Sequence, residues 1–457
     1  MSKKESSLDL DSRKSLANML EALSYLVMRH LPSSCQEESR WVYNTFRVLE
    51  HSKQLDDADE FSLTKFSRPL DTHYRWDTMR RAQDRSVSKA ARVGDKHQAG
   101  EKEDSSSLIH QIGRDNSINC LLRCSRSDYG SLAAVNRSFR SLIKSGELYR
   151  LRRQMGIVEH WVYFSCNCVE WDAFDPIRSR WLHLPKMSTD ECFAFSDKES
   201  LAVGTELLVF GREITSHIIY KYSLLTNTWT SGMEMNVPRC LFGSASLGEI
   251  GILAGGCDPR GKVLSSAELY NSDTGTWKML PDMHKARKMC SGVFMDGKFY
   301  VIGGTGPGNM KSLTCGEVYD METRTWREIP NMFPAQNGGT GVTEAPSAAE
   351  APPLLAVVNN ELYAADHAAK EVRKYDKVRN SWSTVGSLPE RAMSSNGWGI
   401  AFRGCGERIV VIGGPRASAG GTIELNSWVP SEGPPQWKLL ARKPSGTFVY
   451  NCAVMGC

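Results

Sequence analysis

Three pieces of one stretch decide the fold: Ile252-Leu253-Ala254-Gly255-Gly256, then Tyr270-Asn271-Ser272-Asp273-Thr274-Gly275 leading to Trp277, then Leu280-Pro281-Asp282-Met283. The first is an apolar run without alternation, the pattern of a strand buried on both faces. Its glycine pair lets the chain turn where a Cβ would clash and where backbones approach closely. Tyr270 and Trp277 are strong strand formers with large buried area. The polar run between them is turn-forming. The stretch therefore predicts short antiparallel strands.

Moving outward, the same pattern recurs. Trp181, Trp229, Trp277, Trp326, Trp382 and Trp437 are separated by 48, 48, 49, 56 and 55 residues. An aromatic lies seven positions before five of them: Phe174, Tyr222, Tyr270, Tyr319 and Tyr375. Further apolar runs ending in small residues occur at 299–304 and 409–414, and Ile329-Pro330-Asn331-Met332 repeats the Pro-x-Met ending. One repeat reads as a four-stranded antiparallel blade. A blade cannot bury both faces alone, so copies must stack, and a closed ring leaves no large open edge. Phe210-Gly211-Arg212 and Ala364-Ala365-Asp366 replace the glycine pair in two copies that keep the aromatic–Trp spacing. Residues 161–165 match the second strand of a blade. Residues 448–455 match the first-strand segments 241–247 and 291–295, so the chain's end is expected to complete blade one and give six blades.

This pattern resembles the kelch family over 160–457, which implies a six-bladed kelch β-propeller. Ahead of it, residues 108–157 carry Ile118, Cys120, Leu121 and Leu122, then Leu132, Val135, Phe139, Leu142 and Ile143 at helical spacing, with Ser127-Asp128-Tyr129 as a helix start. Three or four short helices are expected. The segment is similar to an F-box, which docks onto a Skp-type adaptor of cullin-based ubiquitin ligases. Ile112-Gly113 matches the family's Leu-Pro, Cys120-Leu121 its paired aliphatics, Asp128-Tyr129 its acidic–hydrophobic pair, and Val135-Asn136-Arg137-Ser138-Phe139-Arg140 its Val-x-x-x-Trp-Arg segment. Gly113 stands in place of Pro and Phe139 in place of Trp. The resemblance, closest to plant F-box/kelch proteins with a charged N-terminal extension, implies adaptor contacts from Ile112, Ile118, Cys120, Leu121, Tyr129, Leu132, Val135, Phe139 and Leu142.

Residues 1–107 form that extension. Leu16, Met19, Leu20, Leu23, Leu26, Val27 and Leu31 share one helical face and Pro32 stops the helix, so an amphipathic helix is expected over 15–31. Residues 66–107 are mixed in charge, contain serines and are expected to be disordered. Arg80-Arg81 is too short for a nuclear signal.

Composition narrows the function classes. A formal charge of +4 over 457 residues does not point to a nucleic-acid or membrane surface. Thirteen cysteines lack a tight framework spacing, and residues 1–31 lack an apolar signal segment, so a reducing nuclear or cytoplasmic setting is expected. No run of ~18 apolar residues suits a membrane span. Some kelch-like rings are copper oxidases, but His160, His183, His217, His284 and His367 occupy different phases of the repeat, so no metal site is expected. Cys166 and Cys168 have no second pair at zinc spacing and read as strand cysteines. Gly303-Gly304-Thr305-Gly306-Pro307-Gly308 lacks the Lys-Ser/Thr of a phosphate loop. No cofactor is expected.

Arg239, Arg287 and Arg391 each follow a Trp by nine or ten residues, just before a first strand. Either their guanidinium groups satisfy loop carbonyls, or they ring the central opening and meet an acidic or phosphorylated target. The resemblance implies a non-catalytic substrate-receptor subunit of a cullin-type (SCF) ubiquitin ligase, its helices on the adaptor and its propeller on a target protein. The alternative is a kelch scaffold whose helices only cap the ring.

Overall fold

The computed structural model describes residues 108, 113–167, 169–196, 198–214, 216–308, 312–333, 351–414, 421–445 and 448–457. The helix expected over 15–31, the segment 66–107, Ile112, Cys168 and residues 334–350 lie outside the described residues. Two compact units divide between Leu121 and Leu122.

From Leu122 onward the chain forms six four-stranded antiparallel sheets. Blade three is typical: Gly243–Leu247, Ile250–Ala254, Ala267–Asn271 and Thr276–Leu280 follow one another in sequence and in space. The first strands of successive blades touch in a closed cycle, with the C-terminal strand serving as the first strand of blade one. The chain is a six-bladed β-propeller.

The ring closes by pairing Asn451–Gly456 antiparallel to His160–Ser165, from His160 opposite Gly456 to Ser165 opposite Asn451. The closing strand starts at Asn451, later than the 448–455 read from sequence. Phe448 and Tyr450 remain outside it and exposed, and the Tyr450 amide donates to the Ser165 carbonyl as the chain enters the pairing.

The seven-residue aromatic–Trp spacing has a direct geometric cause. Tyr270 lies opposite Trp277, Tyr319 opposite Trp326, Tyr375 opposite Trp382, Tyr222 opposite Trp229 and Phe174 opposite Trp181. The turn between them opens on a residue such as Asn271, Asp320 or Asp376, whose side-chain oxygen accepts the next amides. It closes on a left-handed residue, Gly275, Arg324 or Asn380, two positions before the Trp. Blade six differs. Its turn contains the short helix Pro430–Glu432, and Trp428 takes the aromatic place, its ring 5.9 Å from that of Trp437.

Four of the six outer-strand indoles also tie their blade to the preceding one. Trp229 Nε1 donates to the Pro185 carbonyl at 2.7 Å, Trp277 to Met233 at 2.9 Å, Trp326 to Pro281 at 2.7 Å and Trp437 to Ser387 at 2.7 Å. The apolar clusters lie between blades, as in Val162, Phe164, Phe174, Val410, Ile412 and Leu425 at the join of blades six and one. Stability is thus distributed over interfaces, and the seam is one of them.

Deleting 451–457 removes the partner of 160–165, the burial of Cys452, Ala453 and Met455, and the cover over Val162 and Phe164. At ~1.5–3 kcal/mol per large buried side chain, plus an orphaned strand edge, the loss approaches a domain's ~5–15 kcal/mol of net stability. Soluble yield and melting temperature should collapse for this truncation and change little on deletion of 1–32. A soluble 451–457 truncation melting like the full chain would contradict the seam.

Candidate interaction sites

The three arginines set out from the sequence occupy two kinds of place. Arg239 and Arg287 are fully buried. Arg239 donates from Nη1 to the carbonyls of Gly255 and Ser266 and from Nη2 to Glu268 at 2.8 Å. Arg287 repeats this with Gly303, Cys315 and Glu317, the ion pair again at 2.8 Å. Burial pulls the Arg239 pKa down more than Glu268 pulls it up. Both guanidinium groups are consumed inside the blades and offer a target nothing at the surface. Arg391 alone of the three has a half-exposed side chain, 2.9 Å from Glu424, which also accepts from Arg442 at 3.1 Å.

The acidic partners escaped the sequence reading. Glu268 and Glu317 each precede the blade's tyrosine by two positions, a recurrence visible in the sequence once the arginines are aligned. Each carboxylate also accepts two successive loop amides, Asn236 and Val237 on Glu268, His284 and Lys285 on Glu317. The glycine pair belongs to the same arrangement. Gly255 has φ of +72°, and a Cβ there would lie 2.3 Å from the Arg287 carbonyl of the next blade.

The helical module comprises α1 (Gly113–Arg123), α2 (Tyr129–Val135), α3 (Arg137–Lys144) and α4 (Glu147–Gln154), with a 3-10 turn at Arg126–Asp128. Asn136 caps α3 by accepting the Phe139 amide at 2.8 Å. Of the residues expected to meet an adaptor, Ile118, Leu121, Tyr129, Leu132, Phe139 and Leu142 are buried and Cys120 is partly buried. Val135, at the end of α2, is 48% exposed. Ile112 lies outside the described residues.

A buried polar hub, also missed from sequence, holds residues 122–157 to blade one. Arg152 donates to the carbonyls of Leu122 at 3.0 Å and Cys124 at 2.6 Å, and to Glu159 at 2.9 Å. The other Glu159 oxygen accepts Ser125 Oγ at 3.0 Å and the Arg126 amide at 3.1 Å. Arg126 donates to Tyr163 and Cys457 and lies 4.4 Å from the centre of the Trp161 ring. Burial pushes the Cys457 thiol up despite this neighbour, and pushes Tyr163 up to about 12. Arg180 pairs with Asp128 at 2.7 Å, and Arg153 with Glu249.

These contacts fix which end of the ring residues 122–157 cover. Glu249 lies in a first-to-second-strand turn, and Arg180 opens a fourth strand. In an antiparallel blade both belong to one face. The opposite face carries the second-to-third-strand loops and the connections between blades. Exposed there are Met393, Trp398, Phe448 and Tyr450. The Phe448 and Tyr450 rings lie 4.6 Å apart, and a Cβ on Gly399 would be 3.1 Å from Phe448. Arg391 stands on the same face.

Ring and helices together define a propeller protein whose residues 122–157 are fixed to one end of the ring. A family model described as the kelch motif matches residues 238–284 and 286–333, the blades with intact glycine pairs and buried Arg–Glu pairs. F-box/kelch-repeat protein At1g74510 of Arabidopsis thaliana is 60% identical over 451 residues, 96% of this chain and 100% of that protein. F-box/kelch-repeat protein SKIP11 of the same plant is 69% identical over 360 residues, 78% of this chain and 77% of its own length. F-box/kelch-repeat protein At1g26930, also from that plant, is 62% identical over 362 residues, 78% of this chain and 85% of its own. The chain belongs to the F-box/kelch-repeat protein family.

Replacing Arg287 by Met leaves Glu317 buried without its ion-pair partner and should cost about 3–5 kcal/mol. Arg391→Ala removes a half-exposed partner and leaves the buried Glu424 paired with Arg442, so it should cost about 1 kcal/mol or less. Chemical denaturation of both variants separates the two; equal losses would refute the division into structural and surface arginines.

Proposed function

We propose that the protein is the substrate-receptor subunit of a cullin-type ubiquitin ligase. The helical module is its adaptor-binding F-box, and the propeller holds the target protein. It performs no bond chemistry of its own; it raises the local concentration of target lysines near the charged ubiquitin carrier, and tethering supplies ~millimolar effective concentrations. The observation that carries this reading, beside family membership, is the fixed division of faces. The Arg126–Arg152–Glu159–Cys457 hub holds residues 122–157 against one end, and the loop face opposite bears an exposed aromatic patch. A rigid joint between the two sites gives the assembly a set reach, which a flexible tether would not.

The buried positions of the module support its packing, so a charge at Leu142 would dismantle the helices rather than test a contact. Val135 is the informative surface position. Val135→Asp should lower co-purification with a Skp-type adaptor about tenfold or more, the equivalent of ~1.4 kcal/mol, at an unchanged melting temperature. Full capture by this variant, or absence of capture by the unaltered chain, would overturn the assignment. On the opposite face, Trp398→Ala with Phe448→Ala should reduce proximity labelling of targets while adaptor capture stays intact. An unchanged set of labelled proteins would remove the target site from that patch.

A further inference from the structure

Two thiols on the loop face stand in a relation that the fold does not require. Cys240 lies in the connection that enters blade three, and Cys257 directly follows the glycine pair of the same blade. Their backbones form an isolated antiparallel bridge: the Cys240 amide donates to the Cys257 carbonyl at 3.0 Å, and the Cys257 amide donates back at 2.8 Å. Such a mutually bonded pair sets Cα atoms ~5.5 Å apart, inside the ~4.4–6.8 Å range that a disulfide spans. The sulfurs already lie 3.5 Å apart, both as thiols. Blade four builds the same bridge, with the same two hydrogen bonds, from Lys288 and Thr305. The repeat therefore does not demand cysteine at either position.

We propose that Cys240 and Cys257 form a reversible disulfide with a peroxide as oxidant. Cys240 is the more exposed of the two and reacts first. Its sulfur attacks one peroxide oxygen, the O–O bond breaks, and with hydrogen peroxide one water leaves as the sulfenic acid forms. The Cys257 sulfur then attacks the sulfenic sulfur, the S–O bond breaks, and a second water carries off the hydroxyl and the thiol proton. Two thiols have lost two electrons and two protons, and one peroxide has become two waters. A dithiol reductant reverses the link by thiol–disulfide exchange. The bond joins the loop carrying Arg239 to the loop that leaves the glycine pair, without displacing either strand. Three buried thiols of the ring are poorly placed to compete. Burial pushes Cys290, Cys405 and Cys452 up to about 11, 12 and 11, and buried thiols of this kind are inert.

The test uses the full chain, purified reduced and titrated with hydrogen peroxide before peptide mass spectrometry under non-reducing conditions. A linked peptide pair containing Cys240 and Cys257, two hydrogens lighter than the reduced pair, should appear at lower peroxide than any other thiol modification. Dithiothreitol should remove it. In Cys257→Ser, Cys240 should be trapped as a sulfenic acid and labelled by dimedone. Oxidation of other cysteines before this link forms would overturn the proposal, as would a Cys257→Ser chain that takes no dimedone at Cys240. The first measurement needs no variant, so a folding defect in the second cannot rescue the idea.

Discussion

The antiparallel pairing of Asn451–Gly456 with His160–Ser165 is the contact on which the rest of the structure depends. It joins the two ends of the repeat region, and its cost in chain entropy is that of closing nearly the whole ring. Without it the other interfaces would stack as an open arc with two bare edges. The same seam also places the helices. The residue after the closing strand, Cys457, exchanges backbone hydrogen bonds with Glu159, and its sulfur accepts from Arg126. Glu159 in turn holds Arg152 and the Arg126 amide. Ring closure and the seating of residues 122–157 therefore use the same few groups.

Around the ring, blades are tied to their neighbours at more than one radius. Near the outer edge, indole donors reach carbonyls of the preceding blade. Closer in, first strands approach so tightly that a Cβ on Gly404 would lie 2.2 Å from the Val357 carbonyl. Between these lie apolar clusters shared by two blades. The buried Arg–Glu pairs serve a different purpose from the apolar contacts. Desolvating both charges leaves little net gain, but each pair satisfies carbonyls and amides of irregular loops that no strand can reach. They occur in blades three and four, where the glycine pair opens residues 255–266 and 303–315 into longer connections. In blades two and five, residues 213–216 and 367–370 bridge the same strands.

The two ends of the ring follow from antiparallel geometry. Hairpin turns gather at the end that holds the helices, and the longer, variable connections gather at the other. Exposed aromatic side chains on irregular loops, carried by a rigid ring, are the usual composition of a recognition surface. The bridge between Cys240 and Cys257 lies among these connections, so a covalent link there would act on the loops and leave the strands alone.

The sequence by itself determined the number and kind of blades, because turn chemistry and aromatic pairing are local. Tyr270, Asn271, Gly275 and Trp277 specify one hairpin through contacts a few residues apart, and the chain repeats that specification. It determined the origin of the closing strand too, since blade one had only one unclaimed candidate. Trp428 escaped because a longer turn shifted it out of the seven-residue spacing. Tertiary structure alone decided the fate of the arginines. Arg239, Arg287 and Arg391 look alike in the sequence, and their exposure depends on carboxylates 29, 30 and 33 residues away and on how the loops fold over them. It alone showed that most of the module's apolar residues face inward while Val135 does not, and that Arg126 meets Cys457 across 331 residues. Periodicity reports which residues share a face; only the packed chain settles whether that face is covered.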